Sequence, residues 1–205
     1  MLLPCVMKIF RNRGINDTTT RLATCASQRY TAIFDMDGTL LETDLATNLA
    51  YLDALRALGL SDGARRSCRR RIAKSDIRRL ASDEATLAEV VRLKRRAYAR
   101  HLGQIALGPA TGALRFALAN HQRFSKIVLL SDGEQDRVIQ SLRHHHLDHC
   151  FDEIVCNAGQ GDKYANYFAS HDTCPETTLL WENETRQIRA ALAAGILTHH
   201  IQKVA

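Results

Sequence analysis

The stretch that decides the fold is Tyr30-Thr31-Ala32-Ile33-Phe34-Asp35-Met36-Asp37-Gly38-Thr39-Leu40. Its first half is an almost continuous apolar run closed by an acid, and such runs fit strands buried on both faces of a parallel sheet. Gly38 then supplies a turn. Asp35 and Asp37 flank one intervening residue, so both carboxylates can reach a cleft at the end of the strand.

Downstream, Leu45, Leu49, Leu52, Leu55 and Leu58 recur at three- and four-residue spacing, and Leu87, Val90, Val91 and Leu93 begin a second amphipathic segment. Gly59, Gly63 and the cluster Ser82-Asp83-Glu84 provide the turns, with Ser82 in the position of a helix cap. After Gly108-Pro109 a βα rhythm returns. Helices are expected near 110–120, 135–144 and 185–194, and strands at 126–130, 153–156 and 177–181, with a last short strand at 196–201. Strands alternating with helices imply a parallel sheet with right-handed crossovers. The expected fold is therefore α/β: a Rossmann-like core formed by 30–44 and 108–205, with a helical cap over 45–107 inserted after the first strand.

Residues 1–29 carry five basic side chains against the single acid Asp17. They are expected to be a disordered leader, or an extension ahead of a true start at Met7, with an organellar transit peptide as the lesser reading. The six cysteines are scattered without a CxxC pair, which fits free thiols in a reducing, cytoplasmic setting. No apolar run approaches the roughly 20 residues needed to span a bilayer. Between Arg56 and Arg100 stand 14 basic and five acidic side chains, a local net of +9 in a chain whose total is +6. Such a face attracts anions of any kind, although arginine runs on helices commonly just face water.

Ligands of open parallel sheets sit beyond the carboxyl ends of the strands. The residues expected there are Asp35 to Thr39, Ser131 to Gly133, the loop Asn157 to Lys163, and Glu182 to Glu184. A carboxylate can attack a phosphoryl group when a divalent cation neutralises the charge between them, a role that suits Asp35. A second acid in hydrogen-bond reach can protonate the leaving alkoxide and later deprotonate the attacking water, which suits Asp37. The Ser131 hydroxyl and the amides after it can hold nonbridging phosphate oxygens. Lys163 can stabilise the nucleophile and the transition state. Trp181-Glu182-Asn183-Glu184 brings carboxylates to the next strand end, where a hard cation takes oxygen ligands.

The order and placement of these elements resemble the haloacid dehalogenase superfamily of phosphohydrolases, from roughly Tyr30 to Ile201. Phe34-Asp35-Met36-Asp37-Gly38-Thr39-Leu40 looks like its first motif, Ser131 like its second and Lys163 like its third. The resemblance implies Asp35 as nucleophile and Asp37 as acid and base, with the backbone carbonyl of Asp37 helping to hold magnesium. It also implies a cap placed as in phosphoglycolate-phosphatase-like and β-phosphoglucomutase-like members. Gly38, Thr39, Ser131, Asp132 and Lys163 become the candidate phosphate-binding residues, and Asp35, Asp37, Glu182 and Asn183 the candidate Mg2+ ligands. The fourth motif departs from the family pattern. Glu182-Asn183 stands where an acidic pair or Gly-Asp is expected, and Gln187 where another Asp or an Asn is common. Glu184 is the possible substitute.

The expected function is hydrolysis of a small phosphorylated metabolite through an aspartyl phosphate. Alternatives are phosphoryl transfer back to a second hydroxyl, as in a phosphomutase, and a weak or inactive relative that binds an acidic partner through the basic insertion. Membrane and nucleic-acid partners are disfavoured, and no oligomeric state follows from the sequence. The group His144, His145, His146, His149 and Cys150 reads as a helix-to-strand turn rather than a zinc site, because consecutive histidines point in different directions. Trp181 reads as core.

Overall fold

The computed structural model describes residues 29–60, 71–72, 74–81 and 83–204. The leader expected up to residue 29, except for that residue itself, lies outside them, as do Gly63, Ser82 and three of the cysteines.

Strand β1 (Tyr30–Phe34) is the centre of a five-stranded parallel sheet ordered β5-β4-β1-β6-β7. Its neighbours are β4 (Phe124–Ser131) and β6 (Thr178–Glu182), and the outer strands are β5 (Glu153–Cys156) and β7 (Ile201–Lys203). Phe34 pairs with Leu129 on one side and Trp181 on the other, so Asp35, Ser131 and Glu182 fall at the same carboxyl edge. Side chains leave the sheet alternately, and the two faces build separate apolar layers. Ala32, Phe34, Ile127 and Leu129 pack with Leu114, Val138 and Leu142, while Ile33, Val128 and Leu130 pack with Tyr164, Tyr167 and Leu180. Fully burying a side chain such as Phe34 or Ile33 contributes roughly 1.5–3 kcal/mol. Trp181 lies in the core, stacked on Phe34 with ring centroids 4.4 Å apart.

Between β1 and β4 stand α1 (Asp44–Ala57), α2 (Lys74–Arg78), α3 (Glu84–Tyr98) and a 3-10 segment, Ala99–Gln104. A two-stranded antiparallel ladder ties the entry and exit of this insertion: β2 (Leu41–Glu42) pairs with β3 (Ala106–Leu107). The sequence reading had no such ladder, since two-residue strands carry no periodicity. Helix α1 is buried on two faces, with Ala46 and Ala50 in the main core and Tyr51, Leu52, Ala54 and Leu55 in the insertion's own apolar cluster. The leucine stripe is therefore not the buried face as a whole, and Leu45 is 48% exposed. The cap of α3 is Asp83, whose carboxylate accepts the Thr86 amide at 2.7 Å.

The core helices α4 (Thr111–Ala119), α5 (Gln135–His144) and α7 (Thr185–Ala193) lie where periodicity put them, and α6 (Lys163–Ser170) is additional. The last strand needs correction. Gly195 turns the chain, Ile196 enters the core and a 3-10 turn over Thr198–His200 delays the strand to Ile201–Lys203. His146, in the left-handed region, ends the turn after α5, and the rings of His144 and His145 meet edge to face. No helix among the described residues is long and apolar enough to cross a membrane.

Candidate active site

The turn after β1 is wound on one acceptor: the amides of Thr39, Leu40 and Leu41 all point to the carbonyl of Met36. Gly38 makes this possible at φ +74°, and a Cβ there would lie 2.2 Å from Asn183 Nδ2. Asn183 is pressed against that turn and its Oδ1 accepts the Thr39 hydroxyl at 3.3 Å. Thr39 is buried and spends its hydroxyl on this contact.

Lys163 was expected in a glycine-bearing loop. It is instead the first residue of α6, whose start is fixed by Asp162 accepting the amides of Tyr164 and Ala165. Only 2% of it is exposed. Nζ donates to Asp35 Oδ1 at 2.6 Å and to Glu182 Oε2 at 2.9 Å, bridging the ends of two adjacent strands. Glu182 is wholly engaged: Oε2 also accepts the Tyr164 hydroxyl, and Oε1 accepts the amides of Asn183 and Glu184. Two buried carboxylates thus share one ammonium. Burial, with the nearby Glu182 and Asp37 charges, outweighs Lys163 and raises Asp35 to about 7, while the two carboxylates hold Lys163 protonated.

Asp37 has the opposite environment. Arg137 grips it with two bonds, Nη1 to Oδ1 at 2.8 Å and Nη2 to Oδ2 at 2.6 Å. Thr43 donates at 2.5 Å and Arg71 reaches in at 3.4 Å. Burial alone would raise its pKa, but Arg137 beside it wins and holds the carboxyl well below the usual range. Gly133 leaves room for the arginine, since a Cβ there would lie 2.3 Å from Arg137 Nη2.

Ser131 is buried at the end of β4, and its Oγ accepts the Gly133 amide at 3.0 Å. Asp132 is held by Asn157 Nδ2 at 2.9 Å and Gln187 Nε2 at 2.7 Å. A small cleft is lined by Asp35, Asp37, Arg71, Asp132, Lys163, Glu182, Glu184 and Gln187. The structure thus gathers Asp35, Asp37, Asp132, Lys163 and Glu182 around one space, while Asn183 and Thr39 engage each other beneath the turn. Asp132 presents a carboxylate, so its side chain suits a cation better than a phosphate. Arg71, Arg137 and Thr43 were not foreseen, because an arginine on a helix or loop carries no signal separating a buried clamp from a solvated side chain.

The family profile of the haloacid dehalogenase-like hydrolases matches residues 32–201. No protein of curated function matches the chain in sequence. Among solved structures, CbbY from Rhodobacter sphaeroides in complex with phosphate is similar at 22% identity and TM-score 0.64, over 82% of this chain and 84% of that one. A Thermotoga maritima protein described as a β-phosphoglucomutase shares 24% identity and TM-score 0.62, over 86% and 85%. A Lactobacillus plantarum protein described as a phosphoglycolate phosphatase shares 16% identity and TM-score 0.62, over 82% and 84%.

Proposed function

The chain belongs to the haloacid dehalogenase-like hydrolases, and within that family we propose that it is a magnesium-dependent phosphomonoesterase acting through an aspartyl phosphate on Asp35. The observation that carries this reading is the Lys163 bridge, 2.6 Å from Asp35 Oδ1 and 2.9 Å from Glu182 Oε2. It orients the carboxylate, and Asp35 Oδ2 has no hydrogen-bond partner among the described residues while its side chain lines the cleft.

The donor set fits a hard cation. Two buried carboxylates on one ammonium leave a negative charge uncompensated, and Asp132 and Glu184 line the same cleft. Among the described residues no three acidic, imidazole or thiol groups close into a metal cage. Mg2+ keeps several waters and binds through one or two carboxylates plus substrate phosphate. Asp35 and Asp132 would be its charged ligands, with the carbonyl of Asp37 as the neutral one that the family resemblance implies. Glu182 and Asn183 would act from behind, Glu182 by fixing Lys163 and Asn183 by fixing the Gly38 turn. When bound, the ion would screen Asp35 from the phosphoryl oxygens and stabilise charge as the ester bond breaks.

Asp35 would attack phosphorus, and Lys163 would stabilise the developing negative charge without giving up its proton. The amides after Ser131 would hold phosphoryl oxygens. Clamped by Arg137, Asp37 is ionised and a weak base; released from the clamp it would take up a proton, give it to the leaving oxygen, and as the resulting carboxylate deprotonate the hydrolytic water.

The binding of an acidic partner through the insertion has less support. Several of its arginines already meet acids, as in Arg56–Asp53, Arg78–Glu84, Arg79–Asp76, Arg92–Glu89 and Arg95–Glu134. The test is release of inorganic phosphate from a panel of phosphomonoesters. Turnover that needs magnesium and stops on chelation supports the reading, and absence of turnover across the panel refutes it.

A further inference from the structure

The acids of the cleft differ in what holds them. Asp35 and Glu182 share the Lys163 ammonium, and Asp37 is taken by Arg137 and Arg71. Asp132 meets no cation among the described residues and is held by two carboxamides instead. Asn157 Nδ2 donates to its Oδ1 at 2.9 Å and Gln187 Nε2 to its Oδ2 at 2.7 Å, one bond to each oxygen. Asn157, just after β5, is itself fixed. Its amide donates to the Ser131 carbonyl at 2.8 Å, its Nδ2 also reaches the Gly161 carbonyl at 3.1 Å, and its Oδ1 accepts Asn166 Nδ2 of α6 at 2.9 Å. Gln187, in the first turn of α7, crosses from that helix to the residue after β4 and lines the cleft beside Asp132.

Resting on the magnesium-dependent phosphatase reading above, we propose that Gln187, with Asn157, is a positioning residue that presents Asp132 to the cation through neutral donors. A carboxylate offers about four lone-pair sites, and the two amide bonds use one on each oxygen. The group is thereby fixed in orientation while a lone pair on each oxygen remains for an ion. A lysine or arginine in place of Gln187 could orient Asp132 as well, but it would cancel the charge on which binding of a hard cation depends. An acid there would suit the start of a helix, yet it would set two carboxylates against each other and donate nothing while ionised. Glutamine orients without neutralising. Hydrogen bonds that orient a ligand in this way are worth about 10- to 100-fold in metal affinity.

Calorimetric titration of the full chain with magnesium chloride alone reads this role without turnover. Gln187→Met keeps the length of the side chain and removes the donor, and its dissociation constant for magnesium should rise about tenfold or more over the parent's. Gln187→Lys restores a donor but cancels the charge, so it should bind magnesium no better than Gln187→Met. A purely structural glutamine would lower the melting temperature without added metal and leave the affinity unchanged. In variants with the parent's circular dichroism, an affinity within about twofold of the parent's in either Gln187→Met or Gln187→Lys would overturn the positioning role alone. Should Gln187→Met fail to fold, Gln187→Lys decides by the same criterion. If the parent itself takes up no magnesium, the proposal falls with the metal-dependent reading, and the phosphate-release panel tells whether a phosphatase without magnesium remains.

Discussion

At the scale of single residues, two acids separated by one methionine have been pushed in opposite directions by their partners. Asp37 is held ionised, so it contributes stability above its unfolded pKa of about 4 and loses that contribution as pH falls through the lower folded value. Arg137→Met leaves a buried carboxylate with only the Thr43 hydroxyl and the long Arg71 contact, which should cost about 3 kcal/mol near neutral pH. Chemical denaturation checks this, and the gap between parent and variant should narrow below about pH 4. Asp35, raised to about 7 by burial, works the other way. Its contribution is present below about pH 4 and is lost as pH rises towards the folded value. A cation that favours the carboxylate reverses this loss. Magnesium should therefore raise the melting temperature more at pH 8 than at pH 5.5, with proton release on binding near neutrality. An equal shift at both pH values would contradict the assignment of Asp35 to the ion.

At the scale of elements, the site is a consequence of three adjacent parallel strands ending level. This much was legible: an apolar run closed by Asp35, a strand closed by Ser131 and another closed by Glu182 already place three polar groups on one edge. What the sequence hid is which groups would be consumed by support. Asn183 read as a ligand because the family resemblance puts an acidic pair or Gly-Asp at that place; in the structure it braces the turn through Thr39 and its Nδ2 sits 2.2 Å from where a Cβ on Gly38 would be. Gly38→Ala should therefore fail twice, by its positive φ and by that collision, at a cost of about 1 kcal/mol or more for the backbone term alone. Combining it with Asn183→Ala should recover part of the lost stability. Additive losses in thermal denaturation would mean the contact is not the obstacle. Lys163 read as a loop residue because its glycines precede it, whereas Asp162 caps a helix there, and a cap needs only one side chain to displace a boundary.

At the scale of the whole molecule, an α/β sheet supplies the nucleophile and a helical insertion with its own apolar cluster supplies charge from above, joined through the β2–β3 ladder. The core was the legible half because its periodicities are long and its strands wholly apolar. The insertion was legible only as helical, since α1 is buried on two sides and its pattern blurs, and the meeting of Arg71 and Arg137 on Asp37 depends on tertiary packing alone. The central claim remains that Asp35 carries the phosphoryl group. Its most direct measurement is acid quenching of the Asp37→Asn variant after brief exposure to a hydrolysed phosphomonoester and magnesium, followed by peptide mass spectrometry. The account predicts a phosphoryl group on the peptide bearing Asp35, absent without magnesium and absent when Asp35→Asn is added. Phosphate on any other residue, or full turnover by Asp35→Asn, would contradict it.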